Sequence, residues 1–377
     1  MSGKHLNILC CFFAIPVAIL TGCSLNGKSV TVKATENTDY HSVCPDISVD
    51  EFNSLGFELG DSCSIIFSNG YTLDDVPYYN GYYSKTGSPV IVAYPGFDTL
   101  DIAFCSGDPM WEVSGCKEGD TVTIKLQKSG KYRDVQDTMD MVYSNEISDY
   151  PDDISFANFR AINAGNILSD SFFRGASPVD NKLNRAPVSG ALIKEYGIQY
   201  ILDLSDNEEK LTGFLNTDDP GYDHIKELYQ DGNIMPLGLS ASYRTDKFRS
   251  SLAEGLRHMM EHKGPYYIHC LEGKDRTGFV CMLLEALAGA SYEEMEADYM
   301  KTYDNYYGIT KESDPDKYDI ILDLKFNDMA YFLANVPEGS DPKIADYRQG
   351  AIDYLLESGM TEEEINAFIL FLTSKEI

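Results

Sequence analysis

Ten residues constrain this chain more than any others. His269-Cys270-Leu271-Glu272-Gly273-Lys274-Asp275-Arg276-Thr277-Gly278 places a cysteine and an arginine with five residues between them in the pattern HCxxGxxRTG. Upstream, Gly264-Pro265 leads into Tyr266, Tyr267, Ile268 and the ring of His269, which suits a short buried strand. Downstream, the residues from Thr277 to Leu287 are apolar nearly all round and halt near Gly289, which reads as a buried helix. A loop between a strand end and a helix start leaves several backbone N–H groups unpaired and facing one concavity. That is an anion site.

A thiol at the first position of such a loop becomes a nucleophile. The amides, the helix dipole and the Arg276 guanidinium all favour the anionic form of Cys270. Arg276 can grip two phosphoryl oxygens bidentately, and the Thr277 hydroxyl sits where it can stabilise a departing thiolate. Amides and arginine do the charge work, so no metal and no cofactor is expected.

The loop resembles the signature of cysteine-dependent protein tyrosine phosphatases. Its Gly-Lys-Asp-Arg-Thr core is similar to the bacterial tyrosine-phosphatase-like branch with dual protein and phosphoinositide activity. The resemblance implies Cys270 as nucleophile, Arg276 and Asp275 as its catalytic partners, and phosphate binding by Leu271, Glu272, Gly273, Lys274, Thr277 and Gly278. His269 then has a supporting role, orienting the loop. The resemblance extends over roughly 220 residues from about Ile154 to the end. Asn158-Phe159-Arg160 is similar to the family's opening motif, and Phe173-Arg174-Gly175-Ala176-Ser177-Pro178 to its first strand and turn. The strand Ile198–Leu204 is usually continued by arginine in the family; this chain has Ser205. A stabilising arginine contact near the site is therefore absent or supplied elsewhere.

At 377 residues the chain is long enough for two domains with separate cores. Its net charge of −30 argues against nucleic acid as a partner and opposes an anionic substrate everywhere but at the loop. Lys4 and His5 precede an apolar run from Leu6 to Leu20, then Leu20-Thr21-Gly22-Cys23. This resembles a bacterial lipoprotein signal peptide over 1–22, with Cys23 as the lipidated residue; an ordinary secretory signal or a membrane span is the other reading. The expected location is the bacterial cell envelope, lipid-anchored on the extracytoplasmic side.

Polar residues 23–43 read as a tether. From 44 to 136, short apolar runs cut by turns, such as Cys63–Phe67 before Asn69-Gly70 and the alternating Thr121–Leu126, predict a small all-β domain, sandwich or barrel. Cys44, Cys63, Cys105 and Cys116 all fall there, an even number in an exported protein, which permits two disulfides in three pairings or four unpaired thiols. The stretch 137–153 is acidic and contains Pro151, a connector. Over 154–377 strands alternate with helices and the nucleophile ends a strand. The expected fold is an α/β tyrosine-phosphatase-like domain, a central mostly parallel sheet flanked by helices.

The leaving group needs a general acid. Asp246 lies 24 residues before Cys270 but is better explained as the N-cap of a helix reaching His262; the loop from Leu237 to Thr245 offers no carboxylate. Asp275, inside the loop, ranks first. Glu272 is acid or exposed surface. Lys274 beside Arg276 suits a substrate with more than one phosphate, or is a solvated lysine. The expected activity is a phosphomonoester hydrolase acting on phosphotyrosine or phosphoserine proteins or on phosphoinositides. The alternatives are an inositol-polyphosphate phosphatase, or a surface module that binds phosphate with little catalysis.

Overall fold

The computed structural model describes residues 27–337 and 339–374. Cys23 and the apolar run from Leu6 to Leu20 lie outside the described residues. The chain divides into two units, Met1–Asp137 and Thr138–Ile377.

The first unit is a closed barrel of seven strands: β1 (Ser29–Asn37), β2 (Ser42–Pro45), β3 (Ser62–Phe67), β4 (Thr72–Tyr79), β5 (Pro89–Val92), β6 (Asp101–Phe104) and β7 (Thr121–Lys128). Their order is β1-β2-β6-β5-β4-β3-β7, and β1 pairs antiparallel with β7 to close it. Only the β4–β5 pairing is parallel among the barrel's pairs. Along β1, Val30, Val32 and Ala34 are buried while Thr31 and Lys33 are exposed, the period-two pattern of a strand with one wet face. Residues 29–37, expected within the tether, are thus a barrel strand. The two possible disulfides do not form: Cys44, Cys63, Cys105 and Cys116 are all thiols. Three of them face different acceptors, Asp101 Oδ1 for Cys44 (3.1 Å), Tyr82 O for Cys105 (3.6 Å) and Lys117 O for Cys116 (3.9 Å).

The second unit is built on a five-stranded sheet of β8 (Arg160–Ala161), β9 (Phe172–Gly175), β10 (Tyr200–Asp203), β11 (Ile234–Pro236) and β12 (Tyr266–His269), in the order β11-β10-β12-β9-β8. Four strands run parallel and β8 pairs antiparallel with β9. Parallel sheets are covered on both faces, and the side chains divide accordingly. Phe172, Tyr200, Leu202, Tyr266 and Ile268 join one core with the helices Asp246–Met260, Asp275–Leu287, Tyr292–Tyr307, Tyr347–Glu357 and Glu362–Thr373. Phe173, Ile201 and Tyr267 point the other way, into a core with Ala186–Glu195 and two further helices. β12 is the middle strand, with β10 on one side and β9 on the other.

One helix boundary differs from expectation. Thr245 caps the helix Asp246–Met260, its hydroxyl accepting from Phe248 N–H, and Asp246 is the first helical residue with a side chain 97% exposed. Thr245 has the extended backbone that a cap requires, whereas the Asp246 carboxylate pairs with Arg249 at 2.6 Å.

Candidate active site

β12 ends at His269 and the helix Asp275–Leu287 begins five residues after Cys270, so Cys270 opens the connecting loop, as expected. The thiol residue is 4% exposed. Each nearby loop carbonyl is held by a donor. Ser177 N–H donates to Leu271 O (3.1 Å) and Tyr306 hydroxyl to Glu272 O (2.7 Å). Gly273 O accepts from Arg174 (2.8 Å) and from Asn158 Nδ2 (3.2 Å), and Gly278 N–H donates to Lys274 O (2.8 Å). The amides of residues 271–276 make no hydrogen bond among the described residues. Gly273 takes φ +68°, and a Cβ there would meet Gly175 O at 2.3 Å, so only glycine lets the loop lie this close to β9.

Behind the loop stands a buried ion network. Arg174 pairs with Asp298, which also accepts Arg160 Nε at 2.7 Å. Asn158 is linked to Arg160 NH1 (2.7 Å) and to Thr302 (3.1 Å). Burial opposes the Asp298 charge, but Arg160 and Arg174 outweigh it and hold its carboxyl down at about 2. Glu285 beside it is pushed well above the carboxylate range, first by burial and then by the Asp298 charge. Asp298, Thr302 and Tyr306 recur every fourth residue of the helix Tyr292–Tyr307, one face aimed at the loop.

Under Cys270, His269 Nδ1 lies 3.9 Å from Asp203 Oδ1, both fully buried. Burial pushes His269 down to about 4 and lifts Asp203 and Asp206 to about 6. Ser205, where the resembling family has arginine, donates its hydroxyl to Asp203 Oδ1 (2.9 Å) and Asp206 Oδ2 (3.1 Å). Arg276 NH1 donates to Leu239 O at 3.0 Å, in the loop after β11. The Thr277 hydroxyl is buried and has no partner among the described residues.

The two candidate acids differ. Asp275 starts the helix that follows the cysteine loop, its side chain 61% exposed, with Lys274 Nζ at 4.0 Å. Asp246 is held outward by Arg249. Lys274 is not a solvated lysine: it is largely buried and donates to Glu272 Oε1 at 3.3 Å. Burial alone would lower its pKa; the Asp275 and Glu272 carboxylates overcome this and keep it well above the ordinary lysine value. Glu272 also accepts the Tyr143 hydroxyl. Sequence reasoning assigned no role to Tyr143, Asp298, Thr302 or Tyr306. The spacing of four in the last three was the available signal; for Tyr143, in the acidic stretch 137–153, there was none.

A strand, a cysteine loop with its carbonyls tied back, and a buried helix on a parallel sheet define a tyrosine-phosphatase-like protein. The sequence profile of the tyrosine phosphatase family matches residues 156–373, more than half of the chain. The chain belongs to that family. No curated protein matches it. Among solved structures, a conserved protein from Thermotoga maritima shares 20% identity over 26% of this chain and 37% of its own length, with TM-score 0.24. The chain thus spans little over a third of that protein. TpbA of P. aeruginosa matches twice. A cysteine-to-serine form in complex with pTyr shows 13% identity over 54% of this chain and 96% of its own, TM-score 0.27. TpbA without that change shows 14% over 56% and 92%, TM-score 0.23.

Proposed function

We propose that this protein is a metal-independent phosphomonoester hydrolase working through a phosphocysteine, on a phosphorylated protein or a phosphoinositide-type substrate. What carries the reading is the backbone that follows Cys270, where the thiol is buried, the amides of residues 271–276 have no hydrogen bond among the described residues, and the carbonyls of residues 271–274 are each taken by a donor. The amides and the Arg276 guanidinium hold three phosphoryl oxygens, and Cys270 Sγ attacks phosphorus. The P–O bond to the leaving group breaks, and Asp275 gives its proton to the departing oxygen. Water then attacks the phosphocysteine, its proton goes to Asp275, and the P–S bond breaks to release orthophosphate. Thr277 donates its hydroxyl to the sulfur as it leaves. His269 stays neutral at the ordinary pH of such a reaction, because burial holds its pKa near 4.

The test is phosphate release from a phosphotyrosine peptide and from an activated aryl phosphate. Cys270→Ser is expected to lose at least about a thousandfold in turnover while still binding substrate, and chelators to have no effect. Turnover within tenfold of wild type in that variant would sink the cysteine mechanism. Asp275→Asn should lose more on alkyl phosphates, whose alkoxide needs a proton, than on the activated aryl ester. Equal losses on both, or a larger leaving-group-dependent loss in Asp246→Asn, would move the acid elsewhere.

We also propose that Cys23 is lipidated and anchors the chain to the outer side of a membrane; the support is the apolar run from Leu6 to Leu20 ending at Leu20-Thr21-Gly22-Cys23. The protein should partition into detergent, and Cys23→Ala should release it or leave the precursor unprocessed. A wholly soluble wild type with residues 1–22 intact would contradict this.

A further inference from the structure

Lysine in a phosphate-binding loop ordinarily offers a cation to a further anionic group, but Lys274 is already engaged. Its Nζ lies 3.3 Å from Glu272 Oε1 and 4.0 Å from Asp275 Oδ2, and the same Glu272 oxygen accepts the Tyr143 hydroxyl. Tyr143 is held in turn. It stacks on Tyr306 at 4.8 Å with 20° between the planes, and meets Tyr307 edge-on at 5.4 Å. The fully buried guanidinium of Arg185 lies 4.9 Å from the Tyr143 ring and 4.8 Å from that of Tyr306. Arg185 is fixed by Asn145, Leu183, Ser144, Tyr150 and Phe156, all through neutral acceptors. Tyr306 holds the Glu272 carbonyl while Tyr143 holds its carboxylate, so both ends of Glu272 are fixed by one stacked pair. The side chains of Glu272 and Lys274 are only 23% and 16% exposed, so water screens their pairing weakly.

Resting on the phosphatase reading above, we infer that Glu272, clamped onto Lys274 by Tyr143, sets the substrate class: the site takes compounds with a single phosphate and discriminates against those carrying further phosphates beside the scissile one. Around Lys274 Nζ itself, one cation faces two carboxylates. A second phosphate, itself carrying a charge of about −1.5 to −2, meets the negative side of that balance. At Lys274 it either shares the ammonium with the Glu272 carboxylate, like charge against like charge, or displaces that carboxylate from its lysine and tyrosine donors. A lone phosphomonoester needs only the amides and Arg276, and meets none of this. Discrimination of this kind comes from a built-in repulsive element rather than from a missing attractive one.

The experiment compares wild type, Glu272→Gln, and Glu272→Gln with Lys274→Ala in the full chain. The substrates are para-nitrophenyl phosphate and inositol hexakisphosphate. The readout is the ratio of kcat/KM for the polyphosphate to that for the aryl monophosphate, together with the Ki of inositol hexakisphosphate against aryl phosphate hydrolysis. Glu272→Gln is expected to raise the ratio and lower Ki about tenfold at low salt, with a smaller gain at high salt. The double variant is expected to lose that gain, since it comes from the liberated lysine. A ratio and Ki unmoved in Glu272→Gln, or a gain that survives the loss of Lys274, overturns the inference while leaving the phosphatase reading standing. A wild type that hydrolyses neither the aryl phosphate nor a phosphotyrosine peptide fails the phosphatase reading itself, and this inference with it.

Discussion

The barrel and the catalytic unit bury different things. The barrel core is mostly apolar: Val30, Val32, Ile65, Phe67, Ile102, Val122 and Ile124 fill it together with Phe52, Phe57 and Tyr78, and its one fully buried carboxylate among the described residues, Asp61, is held by the backbone amides of Glu58 and Gly130 rather than by a cation. The catalytic unit closes around charge. Arg174, Arg185, Asp203, His269 and Glu285 are all at most 1% exposed, and Asp298 lies between two arginines. Burying charge is costly and seldom improves stability over well-packed apolar groups. Its presence here points to a task that packing cannot perform. Arg174 shows what the task is, because one guanidinium nitrogen is on Asp298 and the other on Gly273 O, at the turn of the cysteine loop. The ions fix a backbone conformation that leaves amides unpaired, which an apolar core has no means to do.

The contrast predicts different costs of substitution. Arg174→Leu removes one partner of a buried pair and the donor to Gly273 O. It is expected to destabilise the catalytic unit by about 3–5 kcal/mol, and to lower turnover in whatever remains folded. Ile124→Ala in the barrel is expected to cost about 2–4 kcal/mol through the cavity it leaves. Trp111, the sole tryptophan, packs against the barrel core, so its fluorescence follows that unit. Denaturant titrations of both variants, read at Trp111 and by aryl phosphatase activity, measure the two costs. A Leu variant as stable and active as wild type would remove the proposed role of the ion network.

What could be read from the sequence divides along the same line. The cysteine loop, its strand and its helix were legible because the local pattern states each of them: an apolar run, a glycine where only glycine fits, an apolar helix. β1 is legible in principle, since residues 29–35 alternate, but its polar residues make it look like linker. Asp246 looked like a cap because aspartate often is one; Thr245, one residue earlier, has the backbone for it. Four cysteines suggested bridges because evenness is visible in a sequence and distance is not. The partners of the loop carbonyls were invisible for the same reason. Asn158, Arg174 and Tyr306 converge on residues 272–273 from three distant elements, and only the fold brings them together. Lys274 and Glu272 sit two residues apart, yet the sequence does not state that they pair or that Tyr143 hydrogen-bonds the same Glu272 oxygen.

The smallest effect gives the sharpest comparison, because it depends on pH and on a carboxylate held between two arginines, where the buried Asp61 of the barrel has only backbone amides. Asp298 has a folded pKa of about 2, below its ordinary value of 3.8. The unfolded chain therefore binds the proton first as pH falls, so the Asp298 contribution is complete above about pH 4 and is lost on the way to pH 2. The loss amounts to about 2 kcal/mol. Other buried groups leave that window clear. Asp203 and Asp206, raised to about 6, titrate between about 4 and 6 and act in the opposite sense, favouring the fold as they take up protons. His269, lowered to about 4, costs stability between its ordinary 6.5 and that value. Arg160 and Arg174, which face Asp298, keep their charge throughout, and Glu285, raised first by burial, is moved away from the window rather than into it. Unfolding of wild type and Asp298→Asn is measured by tyrosine near-UV circular dichroism between pH 2 and pH 5. The variant is expected to be less stable at pH 5, where its arginines have lost their carboxylate, and the gap should narrow by about 2 kcal/mol on approaching pH 2. Parallel curves would mean that Asp298 is not held ionised by its arginines, and the catalytic interior would then be no more electrostatic in its stability than the barrel.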